Sequence, residues 1–431
     1  MTPGPIPGRL ALLVGGGPAP GINGVISSVA IEAREQGIEV IGFRDGFQWL
    51  VKGDAEHYRE LTIDDVKAIQ LRGGSILGTS RTNPTKSEKD MQNVLDVFRR
   101  LNVTMLVTIG GDDTAYSGSQ VYAKAGGAVR VAHVPKTIDN DLPLPGSTPT
   151  FGFETARQVG VGIIRNLAED ARTTSRWYLI VSMGRAAGHL ALGIGKAAAA
   201  TLTIIPEEFG DRRVTLDEVC DIIIGSIIKR RSMHASYGVA VLAEGLLEAI
   251  GEAGLLECMS TAQLGRYGQI TRDPHGHLRL GEIEFGRMIK DRLSARLDEL
   301  NLPVTLIDKD LGYELRCADP IPFDAEYTRD LGYGAVKFLR SEEAGKFGAI
   351  ISLVGGHLEP LPFSQMINPK TLRMQTRRVN VQGEGYECAR RYMIRLDRRD
   401  FDNPQRLARL ASVVGMTSDQ FRQRFEYILV H

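Results

Sequence analysis

The stretch LALLVGGGPAPGINGVISSVAIEA, residues 10–33, decides the fold class. Its apolar start is typical of a buried parallel strand, and its glycine-rich middle is typical of a tight turn. From about residue 23 onward, apolar residues recur at helical spacing. A strand that leads through glycines into a helix is the building unit of α/β folds, in which helices cover a mainly parallel sheet.

The same alternation recurs along the chain. Short apolar, β-branched runs predict strands at residues 10–14, 38–43, 104–109, 129–134, 177–183, 237–243 and 349–354. Longer segments with helical spacing lie between them, including residues 23–36, 87–101, 155–172 and 216–231. The pattern predicts an α/β protein with two Rossmann-like three-layer domains and mainly parallel sheets. Ligands collect at the carboxyl ends of such strands, so we expect one active site in a cleft between the domains.

Length and composition restrict the class of protein. The 431 residues exceed what one hydrophobic core usually supports. The 52 basic residues balance the 52 acidic ones, so there is no general attraction to nucleic acid or to a membrane surface. The four cysteines lie far apart, which fits a reducing compartment better than a disulfide scaffold or a zinc site. The first apolar run is too short for a signal peptide or a membrane span, and we expect a cytoplasmic protein.

Proline-rich residues 142–153 indicate a crossover between domains. We predict a first domain at residues 1–149, completed by part of residues 320–380, and a second domain at residues 150–319. Residues 250–279 mix glycine, charge and histidine, which favours a variable loop or insertion. Residues 380–431 combine arginines with acids and helically spaced apolar residues, which favours a packed amphipathic helical extension over a nucleic-acid surface.

Three turns near the start carry the chemistry of an anion site. The glycines that include Gly15 and Gly16 permit close backbone approach, and the following helix offers N–H groups to a phosphate, although packing alone also explains such turns. In GGDDT, residues 110–114, Asp112 suits a magnesium ion, with helix capping as the alternative. In PKTIDND, residues 135–141, a carboxylate suits a general base and Lys136 suits developing negative charge, with an Asx-rich turn as the alternative.

Later segments supply further charge. In MGRAAGH, residues 183–189, Arg185 suits bidentate phosphate binding, while His189 is read as structural because it opens a packed helix. Glu244 ends a strand, and Tyr313 and Arg316 lie three residues apart. Taken alone, these last residues are better explained by a helix cap and an exposed helix face.

In order and content, the glycine turn, LGTSR, GGD, TIDND, MGR, the acidic strand end and the late arginine resemble the 6-phosphofructokinase family. The resemblance covers about residues 10–356. It implies phosphoryl transfer to the 1-hydroxyl of fructose 6-phosphate with Mg²⁺ as cofactor. It also implies a homodimer or homotetramer, because Arg176 matches an arginine that reaches a neighbouring subunit's site.

The resemblance implies a role for each matching residue. Asp139 is the expected catalytic base, with Lys136 and Arg185 stabilising the transferred group. Asp112 is the expected metal ligand, and Gly15, Gly16 and Arg81 are expected to hold the donor. The expected sugar-phosphate ligands are Thr137, Ile138, Asp139, Arg176, Met183, Gly184, Arg185, Glu244, Tyr313 and Arg316.

Two departures from the ATP-using members of the family point to the donor. Those members read GGDGS and PGTIDND, whereas this chain has Asp113 and Lys136 at the changed positions. The Asp113 carboxylate would lie where a nucleotide's α-phosphate lies, and would exclude it by bulk and by charge. Lys136 adds a cation for a small, highly charged donor. The chain therefore resembles the pyrophosphate-dependent branch, whose reaction is reversible.

Four alternatives remain open from the sequence. An ATP-dependent or dual-donor enzyme is disfavoured by Asp113 and Lys136. An enzyme that prefers sedoheptulose 7-phosphate is not excluded, since the same phosphate ligands serve both sugars. NAD kinase shares a GGDG motif but does not explain TIDND with MGR. A regulator that binds sugar phosphates without catalysis has no need for Asp112, Asp139 and Arg185 together.

Overall fold

The structure is a computed structural model that describes residues 8–268, 283–368 and 374–429. Contacts divide the chain into two compact units, and each unit contains two stretches of chain. The first unit holds the described residues up to Ala156 together with Tyr313–Arg377, and the second holds those of Arg157–Gly312 and Arg378–His431. The domain boundaries given above stay predictions.

Strands and helices alternate along the described chain. The strands are β1 (Arg9–Val14), β2 (Val40–Phe43), β3 (Tyr58–Glu60), β4 (Val103–Gly110), β5 (Arg130–Pro135), β6 (Trp177–Ser182), β7 (Leu202–Ile204), β8 (Gly238–Ala243), β9 (Leu306–Leu311), β10 (Ala349–Val354) and β11 (His357–Pro362). The helices of the first half are α1 (Ile22–Glu35), α2 (Ile63–Val66), α3 (Glu88–Arg100), α4 (Asp112–Ala125), α5 (Phe153–Thr174), α6 (His189–Ala197) and α7 (Leu216–Ser232). Those of the second half are α8 (Gly245–Leu256), α9 (Thr261–Leu264), α10 (Phe285–Glu299), α11 (Pro322–Arg340), α12 (Phe363–Met366), α13 (Glu384–Tyr392), α14 (Arg398–Asp402), α15 (Pro404–Val413) and α16 (Ser418–Phe425).

The first unit is built on a seven-stranded sheet in the order β11-β10-β5-β4-β1-β2-β3. Strands β2, β1, β4, β5 and β10 run parallel, while β3 and β11 are antiparallel edge strands. The chain leaves β1 toward β2 on one side and returns to β4 on the other. This reversal at the ends of β1 and β4 is where ligands bind in open α/β sheets.

Alternating residues of the central strands face two different helical layers. In β1, Leu10, Leu12 and Val14 pack in the core that α1 and α11 cover. The intervening Ala11 and Leu13 pack in the core that α3 covers on the opposite face. Because successive side chains of a strand point to opposite faces, an apolar run without alternation is what a sheet buried on both faces requires.

The second unit contains a four-stranded, fully parallel sheet in the order β7-β8-β6-β9. One face of β6, including Trp177 and Leu179, packs in a core with α7 and α10. The predicted α/β fold with mainly parallel sheets is confirmed.

The C-terminal part of the chain is helical, as predicted, and belongs to the core of the second unit. Phe401, Leu407, Phe421 and Phe425 are buried in the same apolar cluster as α7 and α10. A buried ion pair also connects the C-terminal part to the rest of this unit, because the Arg395 guanidinium lies 2.5 Å from the Glu208 carboxylate and both side chains are buried.

One interpretation from the sequence needs correction. Within residues 250–279, the chain continues α8 to Leu256 and forms α9, because Ile250, Leu255 and Leu264 are buried apolar residues; residues 269–279 lie outside the described chain. The turn Gly355–Gly356 joins β10 to β11 as a hairpin with Val354 opposite His357. Positive φ values of 57° and 81° explain its two glycines. Among the described helices, none is long and apolar enough to cross a membrane.

Candidate active site

The parallel register of the first unit aligns the ends of three strands. Val14 of β1 is opposite Ile109 of β4, and Gly110 of β4 is opposite Pro135 of β5. The glycine turn after β1, the GGDDT turn after β4 and the PKTIDND loop after β5 therefore leave the same edge of one sheet. The sequence placed all three motifs at strand ends, and the structure brings them together.

The glycine turn, residues 15–17, is held by the LGTSR segment. The Gly16 N–H donates to the Ser80 carbonyl at 2.9 Å, and the Thr79 hydroxyl donates to the Gly16 carbonyl at 2.7 Å. Gly16 has φ of 82°, which other residues rarely adopt. These bonds bring Arg81, the next residue of LGTSR, to the side of the glycine turn.

Lys136 joins the glycine turn to the PKTIDND loop. Its backbone N–H donates to the Gly110 carbonyl at 2.8 Å, and its ammonium group donates to the Gly17 carbonyl. The residue is 4 % exposed. A Cβ atom on Gly16 would lie 3.4 Å from the Lys136 Nζ, so the cation lies directly against the turn.

Arg316 also lies beside the glycine turn. The sequence predicted this residue as a sugar-phosphate ligand but did not predict its position at this turn. Its Cζ atom is 3.4 Å from the position that a Cβ on Gly17 would take. The guanidinium also lies over the Tyr313 ring, 4.9 Å from the centroid, and this ring is 78 % exposed. Two cationic side chains therefore border residues 15–17, just before the N-terminus of α1, which itself favours anions.

The GGDDT turn starts helix α4. Asp112 and Asp113 are the first two helical residues, and the Asp113 side chain is exposed. Thr114 packs against two turns at once, because a Cβ on Gly15 or on Gly110 would lie 2.4 Å from its side-chain atoms. Gly15, after β1, and Gly110, at the end of β4, are thus required by close packing around Thr114, in addition to any ligand.

His133 supports the same region from the interior of the sheet. Its Nε2 lies 3.0 Å from the Gly110 carbonyl and its Nδ1 lies 2.8 Å from the Thr108 hydroxyl. Complete burial lowers its pKa to about 3, so the ring is neutral, donates from Nε2 and accepts from the Thr108 hydroxyl. The sequence showed only a histidine in a strand.

Several bonds fix the PKTIDND loop around Asp139. The Asp139 N–H donates to the Thr137 hydroxyl at 3.0 Å, and the Thr150 hydroxyl donates to the Thr137 carbonyl at 2.8 Å. Asn140 has φ of 56°, in the left-handed region. Arg377 donates to the Asn140 side-chain oxygen and, at 3.2 Å, to its carbonyl. Arg377 is distant in sequence, and no motif indicated it.

The MGR turn of the second unit is organised by Glu244. The N–H groups of Gly184 and Arg185 both donate to the Glu244 carboxylate at 3.2 Å. The Met183 N–H donates to the Leu311 carbonyl at 2.9 Å. The carboxylate still has capacity for further hydrogen bonds, since ionised oxygens accept about four.

Helix α6 follows this turn, and another glutamate, Glu207, which is buried, holds its start. The Glu207 carboxylate accepts from the N–H groups of Gly188, at 2.9 Å, and Val379, at 3.1 Å. His189 is the first residue of α6. Arg176 is half-buried and immediately precedes β6.

A metal ion would depend on few protein ligands. Within the residues that the structure describes, no group of three or more His, Cys, Asp or Glu side chains could hold a metal. Mg²⁺ commonly binds through one or two carboxylates, substrate phosphates and water. Asp112, the first residue of α4, could supply one such carboxylate.

Comparison with known proteins gives a consistent result. The family model described as "Phosphofructokinase" matches residues 9–339. A pyrophosphate–fructose 6-phosphate 1-phosphotransferase of Thermotoga maritima is 50 % identical over 97 % of this chain and 98 % of its own. One of Naegleria fowleri is 47 % identical over 100 % and 97 %. The solved pyrophosphate-dependent phosphofructokinase of Nitrosospira multiformis has a TM-score of 0.65 at 17 % identity, covering 89 % of this chain and 90 % of that one.

Proposed function

Because the chain belongs to the phosphofructokinase family, we propose that it transfers a phosphoryl group from pyrophosphate to the 1-hydroxyl of fructose 6-phosphate. Two relatives that match nearly the whole chain at 47 % identity or more carry the name of that activity. The products are fructose 1,6-bisphosphate and phosphate, and we expect the reaction to run in both directions.

One observation in the first unit supports the donor most directly. The Lys136 ammonium and the Arg316 guanidinium border the glycine turn, where the N-terminus of α1 also attracts anions. Pyrophosphate carries several charges on few atoms and brings no nucleoside to position it. A site with fixed cations suits it, because preorganised charge is worth more than charge that must rearrange.

We attribute the selection against ATP to Asp113 and Lys136. Asp113 presents a carboxylate in the first turn of α4, where it repels a nucleotide's additional phosphate. Lys136 fills the space beside Gly16 that a glycine at position 136 would leave open. Gly15, Gly16 and Arg81 complete the donor site that we propose.

Asp139 is the group that we propose as catalytic base. Its carboxylate takes the proton of the sugar 1-hydroxyl as that oxygen forms a bond to phosphorus and the bridging P–O bond of pyrophosphate breaks. The electron pair of the broken bond leaves on phosphate. Lys136 stabilises charge on the transferred group, and Asp112 would hold Mg²⁺, which when bound neutralises phosphate oxygens.

We propose that the other matching residues bind the sugar phosphate. In the second unit these are Arg176, Met183, Gly184, Arg185 and Glu244, with Arg185 also stabilising the transferred group. In the first unit they are Thr137, Ile138, Tyr313 and Arg316. Because Arg316 lies beside Gly17, we propose that it also neutralises the donor. We further propose a cytoplasmic homodimer or homotetramer in which Arg176 serves a neighbouring subunit.

The test is initial-rate formation of fructose 1,6-bisphosphate with Mg²⁺ and either pyrophosphate or ATP at equal concentration. Turnover with pyrophosphate alone is the expected result. Turnover mainly with ATP would contradict the proposed donor. If neither donor supports turnover on fructose 6-phosphate, sedoheptulose 7-phosphate is the next acceptor to test, and inactivity on both sugars would favour a binding protein without catalysis.

A further inference from the structure

Arg377 is anchored to the loop that carries the proposed base. Its Nε donates to the Asn140 carbonyl at 3.2 Å, its Nη2 donates to the Asn140 side-chain oxygen, and its Nη1 donates to the Thr148 carbonyl at 3.2 Å. Its backbone N–H donates to the Asp141 carbonyl at 2.6 Å. One arginine therefore holds both residues that follow Asp139, and it also holds the later segment of the loop at Thr148.

The loop needs such an anchor because its conformation is strained. Asn140 adopts φ of 56°, a left-handed conformation that costs a residue with a side chain free energy unless its surroundings enforce it. Its side-chain oxygen accepts from Arg377 and, at 3.1 Å, from the Thr150 N–H. On the other side of Asp139, Thr150 holds the Thr137 carbonyl.

The Arg377 side chain is half-buried where it meets the loop. Partial burial lowers the pKa of Arg377, so its charge is partly withdrawn from water and is stabilised by the groups it touches. The planar guanidinium meets three acceptors at once, which a lysine ammonium on a flexible stem does not reproduce.

We infer that Arg377 is a positioning residue for phosphoryl transfer, and that it acts by holding Asn140 and thereby the direction of the Asp139 carboxylate. The inference rests on the proposed function and extends it to a residue outside the family-model match, which ends at residue 339. A displacement of about 1 Å in a reacting group can cost roughly 100-fold in rate.

The experiment compares Arg377→Met, Arg377→Lys and wild type in the pyrophosphate-dependent assay. We expect kcat to fall about 100-fold in Arg377→Met while KM for both substrates changes less than about threefold, with rates normalised to folded protein. Millimolar guanidinium ion should restore part of kcat in Arg377→Ala, whose short side chain leaves room for the ion, and should not raise the rate of wild type. Arg391→Met, which removes an exposed arginine paired with Glu387, is the matched control.

A double-mutant cycle separates positioning from general stability. Asn140→Gly removes the side-chain acceptor and still tolerates the left-handed conformation. If Arg377 acts through Asn140, the double variant loses less kcat than the product of the single losses. A loss of kcat in the double variant equal to the product of the single losses would overturn the inference. An unchanged kcat in Arg377→Met, with wild type active, would overturn it as well. An inactive wild type would instead contradict the proposed function.

Discussion

The Lys136 ammonium donates a hydrogen bond to the Gly17 carbonyl although the two residues lie 119 positions apart in sequence. Strand β4 lies between β1 and β5 in the sheet. Lys136, which follows β5, therefore reaches past the end of β4 to the turn that follows β1. Its charge is therefore fixed before any ligand arrives. A cation already held in position loses little freedom when an anion binds.

Replacing Asp113 and Lys136 together with glycine should change the choice of donor. We expect kcat/KM for pyrophosphate to fall by about 100-fold or more and ATP-dependent turnover to become measurable, because the repelling carboxylate and the fixed cation are both removed. Initial rates with each donor check this. Lys67→Gly, at an exposed lysine, is the control. An unchanged preference would refute the role given to the two residues.

Asp112→Asn should weaken the response to magnesium. An amide is a poorer ligand than a carboxylate, so the Mg²⁺ concentration for half-maximal rate should rise by about tenfold or more. A titration of rate with Mg²⁺ at saturating pyrophosphate measures it, with Asp64→Asn at an exposed residue for comparison. The same half-maximal concentration in Asp112→Asn would leave this aspartate with a capping role only.

Gly15→Ala should destabilise the first unit through Thr114. The new methyl group would lie 2.4 Å from the Thr114 hydroxyl oxygen, and such overpacking costs about 1–3 kcal/mol of unfolding free energy. Adding Thr114→Ala should recover part of the loss, since only the Thr114 Cβ, at 3.2 Å, remains in contact. Urea unfolding measures both variants, and Gly385→Ala, where nothing lies within 4 Å, is the control. Strict additivity would argue against the contact.

Arg395→Met should destabilise the second unit by about 3–5 kcal/mol, because it leaves the fully buried Glu208 carboxylate without its partner. The exposed pair of Arg391 and Glu387 provides the contrast, and Arg391→Met should cost less than about 1 kcal/mol. Thermal and denaturant unfolding of the two variants measure the difference. Equal losses would show that burial of the first pair has no effect.

His133 should make stability depend on pH on the acid side. The folded protein keeps this ring neutral because its pKa is lowered to about 3, whereas the unfolded chain protonates it near the usual value of about 6.5. Between these values the unfolded state binds one more proton, so this contribution is complete above about pH 6.5 and is lost as pH falls. The slope from this residue is about 1.4 kcal/mol per pH unit.

His133→Gln provides the test, since glutamine remains neutral. Its unfolding free energy, measured from pH 7 to pH 4.5, should fall less steeply with pH than that of wild type. The difference in slope should reach up to about 1.4 kcal/mol per pH unit, which corresponds to one proton. Parallel curves for the two proteins would show that His133 is not held neutral in the fold.

Local sequence patterns were enough to predict most strands of the two sheets. The apolar runs at residues 10–14 and 349–354 appear as β1 and β10, because strands buried on both faces have continuous apolar sequences. Strand β9, with the sequence LIDKDL, carried no such signal, since it lies at the edge of its sheet and its side chains are partly exposed.

The candidate site was predicted in part. Motifs identified Lys136, Asp139 and the glycines, because their types and order are informative within a few residues of sequence. The contacts that hold those motifs were not predictable in that way. Arg377 reaches Asn140 across 237 positions, and nothing in the sequence around an arginine records which distant carbonyl accepts from it.

The interleaving of the two units along the chain has a consequence for biosynthesis. Strand β10 completes the first sheet beside β5, yet the ribosome makes it only after most of the second unit has emerged. The aromatic residues that close the second core come later still. Neither unit can finish folding when only its first stretch has been synthesised, because each core also needs residues from its second stretch. We therefore expect chaperones that bind incompletely folded α/β sheets to matter more for this chain than for one whose domains follow each other in sequence.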